Sequence, residues 1–253
     1  QLNGIYRSKY RLKEQPLVSV IIPNKDHTED LDKCIRSIEE KGTYKNIEYI
    51  VIENNSEKKE TFAYYEKLQA ENPKVKVVFW EREFNYSAIN NYGVGFAKGE
   101  YLLFLNNDTE IINPDCIEEL LGYCMRDDVG IVGARLYYED DTIQHVGVII
   151  GLGGVAGHTF VGEPKDSLGY FGRIVTAQDY SAVTAACLMT KRKVFEKVNG
   201  FEEKLAVAFN DVDFCLKVRE AGYLVVYNPY AELHHYESKS RGLEDTEEKV
   251  LRF

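Results

Sequence analysis

Tyr101-Leu-Leu-Phe-Leu-Asn-Asn-Asp108 puts five large side chains directly before two carboxamides and a carboxylate. A short unbroken apolar run between Gly99 and a cluster of turn residues reads as a strand covered on both faces, with its polar trio delivered to the carboxyl edge of a sheet. Upstream, a helix is expected from about Tyr86 to Ala97, closed by Gly99. Before it come a strand at 75–79, a polar helix near 58–69 and a strand at 47–53 that ends in Asn54-Asn55-Ser56. Earlier still, the β-branched run Val18-Ser-Val-Ile-Ile22 stops at Pro23-Asn24-Lys25-Asp26. Leu31, Cys34, Ile35 and Ile38 then recur with the spacing of one helix face. Downstream, Asn113-Pro114 reads as a cap and first helical residue, with Ile117, Leu120, Leu121 and Cys124 as the buried stripe. Strand and helix alternate four times. That order specifies an α/β fold, a doubly wound, mostly parallel sheet with helices on both faces, whose ligands gather at 23–26, 53–56 and 106–108.

The second half reads differently. Strands are expected at 129–136 and 146–150, then a Gly-rich segment at 151–157 and a polar stretch to about Arg173 that suits an active-site loop. A buried strand at 182–190, helices at 191–198 and 210–221, a strand at 224–227 and a charged, helix-like tail at 242–253 complete the chain. The segment Gly151-Leu-Gly-Gly-Val-Ala-Gly157 lacks the spacing and the following helix of a dinucleotide-binding turn.

Composition narrows the function. Over 253 residues, 31 Lys plus Arg stand against 41 Asp plus Glu, a formal charge of −10, which disfavours wrapping nucleic acid. With 44% hydrophobic residues the chain can close a core, and no apolar run approaches the roughly 18 residues of a membrane span. Five cysteines without a CxxC pair fit a reducing compartment and buried thiols. The absence of an initiator Met leads us to expect a piece of a longer polypeptide with flanking domains.

The hard oxygens of Asn106, Asn107 and Asp108 suit Mg²⁺ or Mn²⁺ bridging a diphosphate, although the same residues also make turns. Asp211, in Asn210-Asp-Val-Asp213, opens a helix, where a carboxylate is either a proton acceptor or a favourable charge at the helix start. Neighbouring His234 and His235 cannot face one site from one strand. No HExxH is present, so a zinc hydrolase is not supported.

The stretch Phe84-Asn-Tyr-Ser-Ala-Ile-Asn-Asn-Tyr-Gly-Val-Gly-Phe-Ala-Lys-Gly-Glu-Tyr-Leu-Leu-Phe-Leu-Asn-Asn-Asp108 resembles family 2 inverting glycosyltransferases of the GT-A fold. So do 18–23, 50–56, Asn199-Gly-Phe201, 210–213 and His235-Tyr-Glu-Ser-Lys-Ser-Arg-Gly242. The resemblance spans roughly 16–242 and extends to bacterial polysaccharide and rhamnosyltransferase-like members. It implies a GT-A domain over 17–240, with a nucleotide-sugar half (17–113) and an acceptor and catalytic half (114–240), between a basic lead-in (1–16) and a charged tail (241–253).

The resemblance also assigns roles. Asp108 matches the main metal ligand, Asn106 stands where relatives carry an acid, and His235 becomes a further ligand or a donor to the diphosphate. Asp211 aligns with the catalytic base, Asn210 replaces the usual Glu, and Asp213 takes a structural or acceptor-side role. Pro23, Asn24, Lys25, Asp26, Glu53, Asn54, Asn85, Asn90 and Asn107 fall on the nucleotide-sugar side, with Glu53 suited to ribose, Asn54 to the base edge and Arg241 to phosphate. His145 and His158 would border the acceptor. The implied reaction moves a sugar from a nucleotide-diphosphate donor, dTDP-rhamnose or a UDP-sugar, to a glycan or lipid-linked glycan, with Mg²⁺ or Mn²⁺. The implied location is the cytoplasm, with peripheral association on the inner face of the bacterial plasma membrane. The rivals are a sugar nucleotidyltransferase, disfavoured by the Gly-free loop Pro23-Asn-Lys-Asp-His27, and an inactive glycan-binding domain.

Overall fold

A computed structural model of the chain describes residues 4–236. Its first half runs β1 (Val18–Asn24), α1 (Thr28–Arg36), β2 (Ile47–Glu53), α2 (Lys59–Glu71), β3 (Val75–Phe79), α3 (Tyr86–Val94) and β4 (Tyr101–Leu105). Then follow β5 (Thr109–Ile111), α4 (Cys116–Cys124), β6 (Val129–Tyr137), β7 (Ile143–His145), β8 (Val148–Ile150) and β9 (Ala156–His158). The chain continues through β10 (Gln178–Asp179), β11 (Cys187–Lys191), α5 (Arg192–Lys197), α6 (Asn210–Glu220) and β12 (Leu224–His235).

The strands line up in the order β10-β12-β6-β11-β4-β1-β2-β3, with β5 beside β12 and β7 beside β6. β1, β2, β3, β4, β6 and β12 share one direction, while β10 and β11 are reversed. The alternation within β1 shows why the sheet is covered on both sides. Val18, Val20 and Ile22 join a core with residues of α1, α2 and α4, whereas Ile21 faces a second core with residues of α3, α5 and α6. Each buried Val, Leu or Ile removes apolar area worth roughly 1.5–3 kcal/mol, so a fold with two such layers is well supported. On the second side Phe104 of β4 meets Phe195, Phe201 and Phe214, with ring centroids 5.5, 4.9 and 6.5 Å away. Gly93 lets α3 lie close against β1 and β2, because a Cβ there would come within 2.8 Å of Ile52 and 2.9 Å of Ile21.

The second half departs from expectation at several points. The strand expected at 146–150 is broken by Gly147, whose φ of +96° turns the chain between β7 and β8; a Cβ there would also strike Tyr180. Only the end of the apolar segment 182–190 is strand. Residues 182–186 form a connection whose backbone is used by other parts of the molecule, described below. The helix after Asn113-Pro114 starts at Cys116, because Asn113 is bonded to Asp115 and to Tyr230 and Glu232 of β12. β12 continues past Pro229 to His235, well beyond the expected Tyr227. All five cysteines are buried and free, and burial pushes the Cys34 and Cys124 thiols up to about 12. The expected tail helix and Lys239 and Arg241 lie outside the described residues. No helix among the described residues is long and apolar enough to cross a membrane.

Candidate functional site

The carboxyl edge of the sheet gathers the polar strand ends. Asn107 Nδ2 donates to Asn24 Oδ1 at 2.6 Å, Asn24 Nδ2 to the Tyr65 hydroxyl at 2.7 Å, and that hydroxyl to Glu53 Oε2 at 2.6 Å. One line of hydrogen bonds therefore ties the ends of β4, β1 and β2 together. Glu53 also accepts from the Ser56 backbone and hydroxyl, and burial followed by the hydrogen bond to Glu53 drives the Tyr65 phenol far above its usual range. The neighbouring turns are equally occupied. Asp26, at φ +58°, accepts from the Glu57 and Lys58 backbone N–H groups and the Thr61 hydroxyl, so it caps the start of α2 from a different loop. Desolvation works to raise its pKa, but those donors outweigh it and hold the carboxyl below the usual range. Asn54 Nδ2 donates to the Trp80 and Arg82 carbonyls, and Asn85 caps α3 through the Ala88 N–H. Pro23 lies within β1 opposite Ile52, and Lys25 is exposed near Glu57.

These contacts bear on the nucleotide-side expectations for Glu53, Asn54, Asp26 and Asn85. Any bond they make to a nucleotide must be added to, or exchanged for, protein bonds already in place. Asn90 differs: it is fully buried on α3, and although its Nδ2 donates to Tyr86 O, its Oδ1 has no protein partner.

Next to this edge lies a second group. Asp108 Oδ1 stands 3.3 Å from His235 Nε2, and Asn106 Nδ2 stands 3.1 Å from the same nitrogen. Two backbone connections bring them together: β5 pairs with β12 in the register Thr109↔His235, and Tyr236 N–H donates to Asp108 O. Asp108 and His235 are both buried, at 7% and 8% exposure. His234 faces the other way and meets Asp141 at 2.9 Å, as strand alternation requires. Among the described residues no three His, Cys, Asp or Glu side chains form a metal cluster. The donor set at Asp108 is still chemically apt for Mg²⁺ or Mn²⁺: one carboxylate and one imidazole, an Asn106 amide that would have to turn its oxygen inward because its Nδ2 now faces His235, and hard phosphate oxygens to complete the shell.

Asp211 reaches this neighbourhood through the connection before β11. Its Oδ2 accepts from Ala185 N–H at 3.1 Å and its Oδ1 from Val212 N–H at 2.8 Å, while the next residue, Ala186, accepts the Asn106 N–H through its carbonyl. Ala185-Ala186 thus joins the carboxylate of α6 to the polar end of β4. The left-handed Phe209, at φ +57°, turns the chain into α6, and Asn210 is buried against Leu205 O. Asp213 pairs with Lys217 at 3.6 Å. His145 is buried; its Nε2 accepts from the Gly147 and Thr184 N–H groups at 3.3 and 3.4 Å, and its ring lies 4.7 Å from that of His158. Burial, then the neighbouring His158 and His235, hold the His145 imidazole neutral. His158 is exposed, with Nδ1 3.2 Å from Gln144 O.

The sequence motifs single out neither Tyr65 nor the 184–186 connection, and they place Gln144-His145-Val-Gly147 only in a loop that would border the acceptor. A glutamine inside the apolar run Ile143-Gln-His-Val146 was the available signal, while the part played by backbone groups at 184–186 left no trace in residue identity.

The sheet order and the edge residues define a GT-A type glycosyltransferase fold. The chain belongs to the glycosyl transferase family 2, whose model matches residues 19–198. It is 48% identical over 249 residues to the Sinorhizobium fredii protein y4gI, covering 98% of this chain and 27% of that one. It is 38% identical over 237 residues to the O-antigen biosynthesis protein RfbC of Myxococcus xanthus, covering 93% of this chain and 18% of RfbC. The chain thus spans about a quarter or less of the length of these relatives. A shorter match, 37% over 60 residues, covering 24% of this chain and 20% of the relative, is to a Mycobacterium tuberculosis N-acetylglucosaminyl-diphospho-decaprenol L-rhamnosyltransferase. Among solved structures, the mannosyltransferase PcManGT of Pyrobaculum calidifontis, in complex with GDP-Man and Mn²⁺, superposes with a TM-score of 0.69 at 14% identity. That superposition covers 95% of this chain and 62% of PcManGT.

Proposed function

We propose that this chain transfers a sugar, with inversion, from a nucleotide-diphosphate donor to a hydroxyl of a growing bacterial cell-surface glycan, free or lipid-linked. The observation that carries the reading is the meeting of Asp108, Asn106 and His235 at one end of the 184–186 connection with Asp211 at the other. Asp211 is the base. Two backbone N–H groups fix its carboxylate, which leaves lone pairs to take the acceptor hydroxyl proton as that oxygen attacks the anomeric carbon. Asp108 and His235, with Asn106, would hold Mg²⁺ or Mn²⁺. When bound, the cation supplies positive charge against the departing diphosphate. The loops at 23–26 and 53–54, with Asn90 and Asn107, form the donor side, and His145, His158, Asn210 and Asp213 the acceptor side.

The names of the RfbC and rhamnosyltransferase relatives support a glycan product and make dTDP-rhamnose the first donor to try, with UDP-sugars next. Work at the inner face of the plasma membrane, in contact with lipid-linked acceptor, accords with that product. The test is a donor panel of dTDP-rhamnose and UDP- and GDP-sugars with Mn²⁺, scored by release of nucleoside diphosphate. Pyrophosphate release from a nucleoside triphosphate, with no diphosphate release from any nucleotide sugar, would replace this reading with a nucleotidyltransferase.

A further inference from the structure

Deepening the metal reading just proposed, we infer that Gln144 is a positioning residue that fixes the His235 ring as the tautomer whose Nε2 lone pair faces Asp108. Gln144 sits on β7, held beside the end of β12 by the pairing of β7 with β6, and is 3% exposed. Its side chain grips His235 at two points: Nε2 donates to the His235 carbonyl at 3.2 Å, and Oε1 lies 2.7 Å from His235 Nδ1.

The first contact decides the second. A backbone carbonyl can only accept, so the amide must turn its NH₂ to the His235 oxygen, and its own oxygen is then the group that meets Nδ1. An oxygen acceptor there requires Nδ1 to carry the proton. In the neutral ring Nε2 is consequently bare, and it is Nε2 that stands 3.3 Å from Asp108 Oδ1 with the Asn106 amide donating to it at 3.1 Å. A cation entering here would displace the Asn106 N–H from Nε2 and find that lone pair and the Asp108 carboxylate oxygen as two ligands.

An amide suits this task better than a carboxylate. It orients the ring without adding a second buried negative charge beside Asp108. The mount is itself braced: the His158 ring meets Gln144 O, and the Thr159 hydroxyl donates to Val146 O. The next residue on β7, His145, serves the other wall by accepting the Thr184 N–H of the connection that reaches Asp211. Two successive residues of a three-residue strand thus set both halves of the site.

The test pairs Gln144→Leu with Gln144→Glu, which keeps the acceptor for Nδ1. Nitrogen-15 NMR of the metal-free protein reads the His235 tautomer, and Mn²⁺ affinity is measured with dTDP and with UDP. In the wild type the proton is expected on Nδ1. In Gln144→Leu it shifts toward Nε2 and Mn²⁺ binding weakens roughly 10- to 100-fold, the usual scale for losing a ligand's orienting partner, while Gln144→Glu keeps the proton on Nδ1. A wild-type proton on Nε2, or a folded Gln144→Leu with an unchanged tautomer, overturns the assignment. Mn²⁺ affinity undiminished in His235→Ala overturns the metal reading beneath it, and the tautomer measurement still decides the role of Gln144.

Discussion

Two stretches of the same sheet edge use polar residues in opposite ways. Between β1, β2 and α2, Asn24, Asp26, Glu53, Asn54, Ser56 and Tyr65 bond to one another or to nearby backbone, and the wall is complete in itself. Between β4, β12 and α6, Asp108 and His235 meet directly, and Asp211 is tied to that pair through the Ala185-Ala186 backbone. The first arrangement stabilises the fold and so holds the proposed donor side in a fixed shape. On the proposed reading the second spends stability on chemistry, since a buried carboxylate held against a ring nitrogen is costly. Substitutions in the two regions should therefore separate into losses of stability and losses of activity.

The largest effect is expected at Asp211. Asp211→Asn preserves size and one acceptor oxygen but cannot take a proton, so turnover should fall roughly a hundred- to ten-thousand-fold, with donor affinity close to wild type and only a modest loss of melting temperature, because the new NH₂ replaces one of the two oxygens that accept the Ala185 and Val212 N–H groups. Transfer at the wild-type rate would move the base elsewhere and erase the distinction between the two edges.

A smaller and opposite effect is expected at Tyr65. Tyr65→Phe strips the hydroxyl that both accepts from Asn24 and donates to Glu53. It leaves the buried Asn24 Nδ2 short of a partner, at about 1–3 kcal/mol, and Glu53 with only its Ser56 bonds. Denaturant unfolding should show that loss while turnover, measured well below the melting point, is retained. A variant as stable as wild type but impaired in donor binding would mean that the Tyr65 hydroxyl itself serves the donor side rather than the fold.

This contrast also explains what the sequence made legible. The first half could be read element by element because its apolar runs and helix stripes are local, and because strand ends in a parallel sheet project their turn residues to one edge. Asp108, Asp211 and His235 were legible as residue types in characteristic settings. What each strand end does was not, since Glu53 and Asp108 look alike in a linear string and differ only in whether a Tyr65 lies opposite. The second half was harder for a related reason. Gly147 splits one expected strand, and the bonds of 182–186 go to side chains far away in sequence. The extension of β12 to His235 depends on pairing with β5 and β6, which no local propensity records.

The smallest predicted effect concerns the support under His235 rather than the site itself. Glu110 of β5 binds Lys33 and Lys41 and accepts from the Tyr236 hydroxyl, immediately after His235. Burial works to raise its pKa, but Lys41, Lys33 and Tyr236 outweigh it and bring the carboxyl down from 4.5 to about 2. A folded-state value below the unfolded one means that the group stabilises the protein fully above about pH 4.5 and progressively less as the pH falls toward 2. Glu110→Gln should therefore lower stability at pH 6 and lose less than wild type between pH 6 and pH 3, with turnover at neutral pH nearly unchanged, because the cluster fastens the strand end and touches no reacting group. Equal acid sensitivity in the two proteins would show that this cluster is screened by solvent, and that β5 pairing alone keeps His235 beside Asp108.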